Sequence, residues 1–218
     1  MPRARSKKTD VVIWGASGHA RVVADVLRLQ GFRIAGFLDD VDPGRRGEDF
    51  CGAKVLGGRE QLPLLLRRGV RRMAVGFGDC RRRLAAGEQA RALGFTFPPA
   101  VHPRSVVAGD AELGEGTLVA AGAVVNPAAR LGRHVIVNTC ASVDHGCVVL
   151  DGAHIAPGAR LAAGVRVGRC AWVGLGAVVK ERVRIGDGAV VGAGAVVLRD
   201  IPDDMVAYGV PARPVRPV

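Results

Sequence analysis

From Val101 to Val197 every sixth residue is aliphatic, beginning Val101, Val107, Leu113, Val119 and Val125 and holding through seventeen positions without a break. Two residues ahead of each, from Ser105 to Ala195, the side chain is always Ala, Ser, Thr, Cys or Val, with Ala in ten of sixteen places. A helix would bring apolar residues back at spacings of three and four, which this pattern lacks. A period of six with one aliphatic and one small inward residue predicts a hexapeptide parallel β-helix, whose three short strands close a triangular coil of about 18 residues. Gly114, Gly132, Gly168, Gly174, Gly186 and Gly192 each follow the aliphatic position, where tight corners are expected.

The first half has a different rhythm. Residues 11–14 (VVIW) read as a buried strand, followed by the turn Gly15-Ala16-Ser17-Gly18-His19 and an amphipathic helix from about Ala20 to Gln30. A second strand over Arg33–Leu38 ends in Asp39-Asp40; a helix over Glu60–Arg68, a third strand over Arg72–Phe77 and a helix at about Asp79–Leu93 follow. Alternating strands and helices predict a small α/β domain of Rossmann-like type with a parallel sheet. The expected division is a flexible basic N-terminus at 1–9, the α/β domain at 10–99, the β-helix at 100–202 and a C-terminal tail at 203–218.

Composition narrows the chemistry. With 49% hydrophobic residues but only 4% aromatic, the core must be filled by Val, Ile, Leu and Ala. The net charge of +11 is uneven: residues 1–99 carry 19 basic and 10 acidic residues, and residues 100–218 carry 12 and 10. Arginine runs such as Arg81-Arg82-Arg83 suit a phosphorylated ligand or a solvated helix face, but they lack the interleaved aromatics of a single-strand platform, so no nucleic-acid partner is expected. No stretch approaches the roughly 18 apolar residues of a membrane span, and the basic start lacks a signal-peptide apolar region, so no membrane partner and a cytoplasmic location are expected. Five cysteines without CxxC spacing indicate neither a disulfide framework nor a zinc cage. His134, His145 and His154, spaced by 11 and 9, fit poorly to the three-histidine zinc site of a β-helical carbonic anhydrase, and no metal is expected. His102 and His134 are expected at the surface, and Cys147, at an inward small position, is unfit as a nucleophile.

The Gly15–His19 turn offers backbone N–H groups and a helix N-terminus to an anion, and Asp39, 21 residues after Gly18, can accept a hydrogen bond from a ribose or base. The full GxGxxG spacing is missing, so a tight turn without ligand fits these residues as well.

The order of a GASGHxxVxxD turn and helix, a strand ending in LDD, a β-helix containing VDHGC and a terminal GVPAR resembles the NeuD/PglD family of bacterial sugar acyltransferases over nearly the whole chain. The resemblance implies a left-handed β-helix, a homotrimer with active sites between subunits, and transfer of acetyl from acetyl-CoA to a nucleotide-linked amino sugar, with a 4-amino-4,6-dideoxy sugar as the expected acceptor. An O-acetyltransferase of the sialic-acid type and a non-catalytic sugar-nucleotide-binding protein are the alternatives. It further implies His145 as general base, with Asp144 as a possible modulator, and the sugar nucleotide held by Ser17, Gly18, His19, Asp39, Asp40 and Gly76; Arg81, at the start of the following helix, suits either a diphosphate contact or a surface role. Acetyl-CoA falls to His154, Leu175, Ala193 and Arg213. An imidazole titrating near neutrality suits removal of the proton that an attacking amine releases. Many relatives carry Asp or Glu directly after this histidine; here Gly146 stands there, which lowers the expected basicity of His145.

Overall fold

The computed structural model describes residues 10–218; the expected flexible segment 1–9 lies outside the described residues. In the first domain β1 (Asp10–Trp14), β2 (Arg33–Leu38), the hairpin β3 (Asp49–Phe50) and β4 (Ala53–Gly57), and β5 (Arg72–Val75) form one sheet in the order β3-β4-β2-β1-β5. β1 pairs in parallel with β2 and β5, and β2 with β4, while β3 meets β4 antiparallel. The hairpin is absent from the sequence expectation. Its turn is Cys51-Gly52, both at positive φ (45° and 71°), the geometry a two-residue hairpin turn needs.

Helix α1 (Gly18–Leu29) turns Ala20, Val23, Ala24, Val26 and Leu27 into the core. The expected 60–68 helix is a 3-10 turn at Arg59–Gln61 running into α2 (Leu62–Arg67), and α3 (Cys80–Ala92) follows β5.

Seventeen two-residue strands, β6 (Ala100–Val101) to β22 (Val196–Val197), then build three sheets in which each strand pairs in parallel with the strand 18 residues on, as Val125 with Val143. The coil is a left-handed parallel β-helix. Every inward aliphatic residue from Val119 to Val197 is buried, and so is every small residue two places before it from Ala123 to Ala195. A hairpin of β23 (Met205–Gly209) and β24 (Ala212–Pro217) extends the sheet that starts at β6.

The corners correct the expectation for glycine. Positive φ falls three residues after the inward aliphatic, at Gly116 (70°) and Gly164 (68°) but also at His134 (54°), Cys140 (57°) and Cys170 (54°). The glycines directly after the aliphatic have another cause: a Cβ at Gly174 would lie 2.5 Å from the Val191 carbonyl oxygen of the next coil. They permit coil-to-coil stacking rather than the bend.

The α/β domain lies on the sheet of β6, β9 (Leu118–Val119), β12 (Ile136–Val137) and β15 (His154–Ile155), where Ala100, Leu118 and Ile136 share an apolar cluster with α1. This covering reverses two sequence expectations. His134 is buried, not superficial: its ring stands edge-on to Phe97 at 4.8 Å, and it fills the space beside Gly87, where a Cβ would come within 2.1 Å of Nε2. Arg83, expected on a solvated helix face with its neighbours, is only 2% exposed.

Candidate active site

At the carboxyl ends of β1 and β2 and beside the loop after β5, the α/β domain holds a cleft of about 790 Å³ lined by Trp14, Ser17, Asp39, Asp40, Arg45 and Arg59 among others. Gly15, at a φ of 121°, lets the chain leave β1 and pass against Gly76, and Ser17 is the N-cap of α1 without using its hydroxyl as a cap. No acidic residue occupies the first turn of α1, and the turn that leads into it, Gly15–Ser17, lines the cleft, so the helix begins beside the cleft with its partial positive charge.

Asp39 and Asp40 are already hydrogen-bonded. Asp39 accepts from the Val41 N–H at 2.9 Å and from Arg45 at 2.8 Å, while Asp40 accepts from Trp14 Nε1 at 2.9 Å and from the Arg59 N–H at 2.7 Å. Arg45 also donates to the Ala16 carbonyl at 2.8 Å, joining the 39–48 loop to the glycine turn. The guanidinium of Arg59 sits 5.8 Å above the Trp14 ring. Arg45, Arg59 and Arg82 thus put three cations around the cleft. The sequence reading missed Arg45 and Arg59 as site residues because both follow irregular segments that the strand and helix periodicities do not place. Arg81 points elsewhere, pairing with Asp204 near the C-terminus.

Three of the six nucleotide-site candidates, Ser17, Asp39 and Asp40, line the cleft. Gly18 begins α1 beside it. Gly76 serves packing: a Cβ there would lie 2.8 Å from Ala20 Cβ and from Ile13 Cγ2. His19 turns away to the domain boundary, 6.3 Å from the His154 ring. His154 points out of its coil as expected, but the α/β domain covers it to 5% exposure. Its Nε2 meets Asn138 Nδ2 at 3.0 Å and its ring lies 4.8 Å from Trp172. Because Asn138 Oδ1 accepts the Thr139 N–H at 2.8 Å, the Asn138 amide donates, and His154 Nε2 is the acceptor. Burial, with the Arg83 charge adding to it, pushes His19 down to about 4 and His154 down to about 3, so both rings are neutral at pH 7.

His145 is exposed on the corner after β13 (Ser142–Val143). Asp144 Oδ1 accepts the His145 backbone N–H at 2.7 Å and Asn126 Nδ2 at 3.0 Å; the first of these bonds holds its carboxyl below the usual range. Its Oδ1 thus braces the corner from which His145 projects. Gly146 occupies the positive-φ position of the same corner, at 65°, and a Cβ there would meet nothing within 4 Å. Cys147 is buried in the coil and burial raises its thiol, as its inward position implied.

Leu175 and Ala193 stack on a different corner, one coil apart, and both are exposed. Tyr208 packs against neighbouring Gly192 and pairs across the terminal hairpin with Arg213, which brings the tail to the same end of the stack. The His145 corner and the Leu175–Ala193 corner flank opposite edges of the sheet carrying Val106, Val124, Val178 and Val196. One chain thus separates the base candidate from the acetyl-CoA candidates. No group of three or more His, Cys, Asp or Glu residues among the described residues is placed to hold a metal ion.

Residues 10–89 match the family model of the PglD N-terminal domain. Over 95% of this chain and 97% of the other, the structure is similar to PerB of Caulobacter crescentus, solved with CoA and GDP-perosamine, at 42% identity and a TM-score of 0.91. The chain belongs to the NeuD/PglD family of sugar acyltransferases. Within that family it is also similar to the acetyltransferase domain of PglB from Neisseria gonorrhoeae, at 37% identity over 95% of this chain and 100% of that one, TM-score 0.90. WeeI from Acinetobacter baumannii matches the same shares at 25% identity and a TM-score of 0.85. PerB, a perosamine N-acetyltransferase, has also been solved with CoA and GDP-perosamine as variants in which one histidine is replaced by Asn or Ala.

Proposed function

We propose that this acyltransferase moves acetyl from acetyl-CoA to the amine of an amino sugar carried on a nucleoside diphosphate, a 4-amino-4,6-dideoxy sugar being the expected class. The observation that carries this reading is the likeness, along nearly the entire chain, to an N-acetyltransferase bound to CoA and a GDP-linked sugar. The cleft supports it: its volume accommodates a nucleotide sugar, a helix N-terminus with Arg45, Arg59 and Arg82 suits a diphosphate, and the carboxylates of Asp39 and Asp40 suit hydroxyl or base N–H groups.

In the reaction the free amine attacks the thioester carbonyl, a C–N bond forms, and collapse of the tetrahedral intermediate breaks the C–S bond. His145 takes the proton the amine loses, and the CoA thiolate leaves and is protonated. No acyl-enzyme is needed, in keeping with a chain whose Cys147 is buried. Asp144, whose Oδ1 is bonded to the His145 main chain, is the acidic group in this corner that stands in for the neighbour found in relatives.

Since His145 and the Leu175–Ala193 corner stand apart in one chain, a site using both requires a neighbouring copy, and the exposed valines between the two corners offer the apolar surface for it. A homotrimer in the cytoplasm, where acetyl-CoA and nucleotide sugars are made, fits that requirement. Acetyl-CoA-dependent thiol release, measured against UDP-, GDP- and dTDP-linked 4-amino sugars with free sialic acid as a control, tests the proposal. Release with one amino-sugar nucleotide is expected. Release with sialic acid alone would move the activity to O-acetylation.

A further inference from the structure

Arg83 is the one arginine of its run that faces inward, and nothing in the acetyl-transfer chemistry uses it. Its guanidinium is surrounded by main-chain carbonyls from three segments. Nε donates to His134 O at 2.9 Å, one terminal nitrogen to Gly78 O at 2.6 Å and Phe77 O at 3.4 Å, and the other to Gly152 O at 2.7 Å and Ala153 O at 3.3 Å. All these acceptors are neutral, so the buried charge has no carboxylate to repay its desolvation. An aliphatic side chain would fill such a space at lower cost, but it would not fix a register. A planar fork with five N–H donors does so, since each carbonyl must sit in one direction.

The segments it joins are informative. Phe77, Asp79 and Arg82 line the nucleotide cleft, and Gly78 lies between them. His134 and Gly152 are corner residues of successive coils of the β-helix, and Ala153 precedes His154. Arg83 is therefore a direct link between one wall of the cleft and the stack that carries the transfer site. Glu88, five residues further along α3, adds exposed pairs to Arg133 at 3.8 Å on the first of these coils and to Arg169 at 2.9 Å on the coil after them. Exposed pairs of that kind hold little on their own.

We propose that Arg83 is a positioning residue: by tying the 77–78 wall of the cleft to two coils of the β-helix, it sets where a bound sugar nucleotide meets the acetyl-transfer site. This rests on the acetyl-transfer reading above, and it holds whether the base comes from the same chain or a neighbour, because the β-helix is the frame in either case. Arg83 makes no hydrogen bond to residues 14–17, 39–45 or 59, which form the rest of the cleft, so its loss is expected to disturb the placement of the 77–82 wall, and with it turnover, more than nucleotide affinity.

The test uses full-length Arg83→Met and Arg83→Lys, with the thermal midpoint, GDP affinity by calorimetry and steady-state kinetics with acetyl-CoA and the GDP-linked amino sugar. The expected result for Arg83→Met is GDP affinity within about threefold of wild type, KM for acetyl-CoA within about twofold, and kcat lowered at least about tenfold, with Arg83→Lys in between. Should Arg83→Met fail to fold, Arg83→Lys carries the same split. A kcat within about twofold of wild type, or GDP affinity falling in step with kcat and the midpoint, overturns the proposal. If wild type turns over no amino sugar, the acetyl-transfer reading fails, and hydrogen exchange decides the clamp. Faster exchange at residues 77–79 with residues 14–17 unchanged upholds it, and unchanged exchange at 77–79 overturns it.

Discussion

His134 and His154 make the fold sensitive to acid in a way that can be worked out from their burial. Both are neutral and enclosed where the α/β domain meets the β-helix, at 4% and 5% exposure. Burial lowers His134 to about 4 and His154 to about 3, with Arg83 the next cause in each case. In the unfolded chain both titrate near 6.5. Above pH 6.5 neither state binds the proton and the burial costs nothing. As pH falls below 6.5 the unfolded chain takes up protons that the folded one refuses, and stability drops until the folded values are reached. The slope is about 1.4 kcal/mol per pH unit for each ring, so between pH 6.5 and 5 each contributes a loss of about 2 kcal/mol, about 4 together. That is a large part of a typical stability of about 5–15 kcal/mol.

Urea unfolding at pH 7.5 and 5.0 measures this, comparing wild type with His134→Asn/His154→Gln. Asn tolerates the positive φ of 54° at position 134, so the pair removes titration without adding backbone strain there. The double variant is expected to lose about 4 kcal/mol less than wild type on going to pH 5. Equal losses in the two proteins would refute the argument that these buried rings drive acid unfolding.

Three further outcomes follow from the packing. Gly87→Ala puts a methyl within 2.1 Å of His134 Nε2 at the domain boundary and is expected to cost about 1–3 kcal/mol, seen as a Tm lowered by several degrees; an unchanged Tm would show that the boundary yields. Gly146→Asn, with open space around its Cβ, should cost under about 1 kcal/mol, whereas Gly174→Ala, whose Cβ meets the next coil's backbone at 2.5 Å, should cost more, and the two Tm values rank them. Arg45→Ala frees the 39–48 loop from Ala16 and Asp39 and should weaken GDP binding about tenfold by calorimetry, roughly the 1.4 kcal/mol of a charged hydrogen bond.

The β-helix was readable from sequence because its period is strict: an inward valine every six residues leaves one way to bury them, and the stacked Val125 and Val143 follow from that spacing. The strands of the α/β core were readable for a similar reason, since 11–14 and 33–38 are apolar runs bounded by turns. The β3–β4 hairpin was not, because its strands mix Asp49, Lys54 and Gly57 with few apolar residues. The placement of the candidate residues was legible where it depends on local chain geometry, as at Ser17 and Asp39 after strands and His145 exposed at a corner. It was illegible where it depends on which face the second domain covers. His134, His154 and Arg83 all point out of their own elements, and only the packing of one domain on the other turns that outward direction into burial. Gly146 shows a similar limit: its residue type answers to a positive φ, which the hexad period alone placed two residues too early.

The most direct test of the account is the kcat for acetyl transfer to whichever UDP-, GDP- or dTDP-linked amino sugar wild type turns over, in wild type and His145→Ala, with affinity for the matching nucleoside diphosphate measured on both. A general base is worth about 100- to 10,000-fold, so kcat is expected to fall by at least about a hundredfold while nucleotide affinity, set in a cleft that does not include His145, stays unchanged. Turnover by His145→Ala at the wild-type rate would contradict the assignment of the base and with it the proposed mechanism.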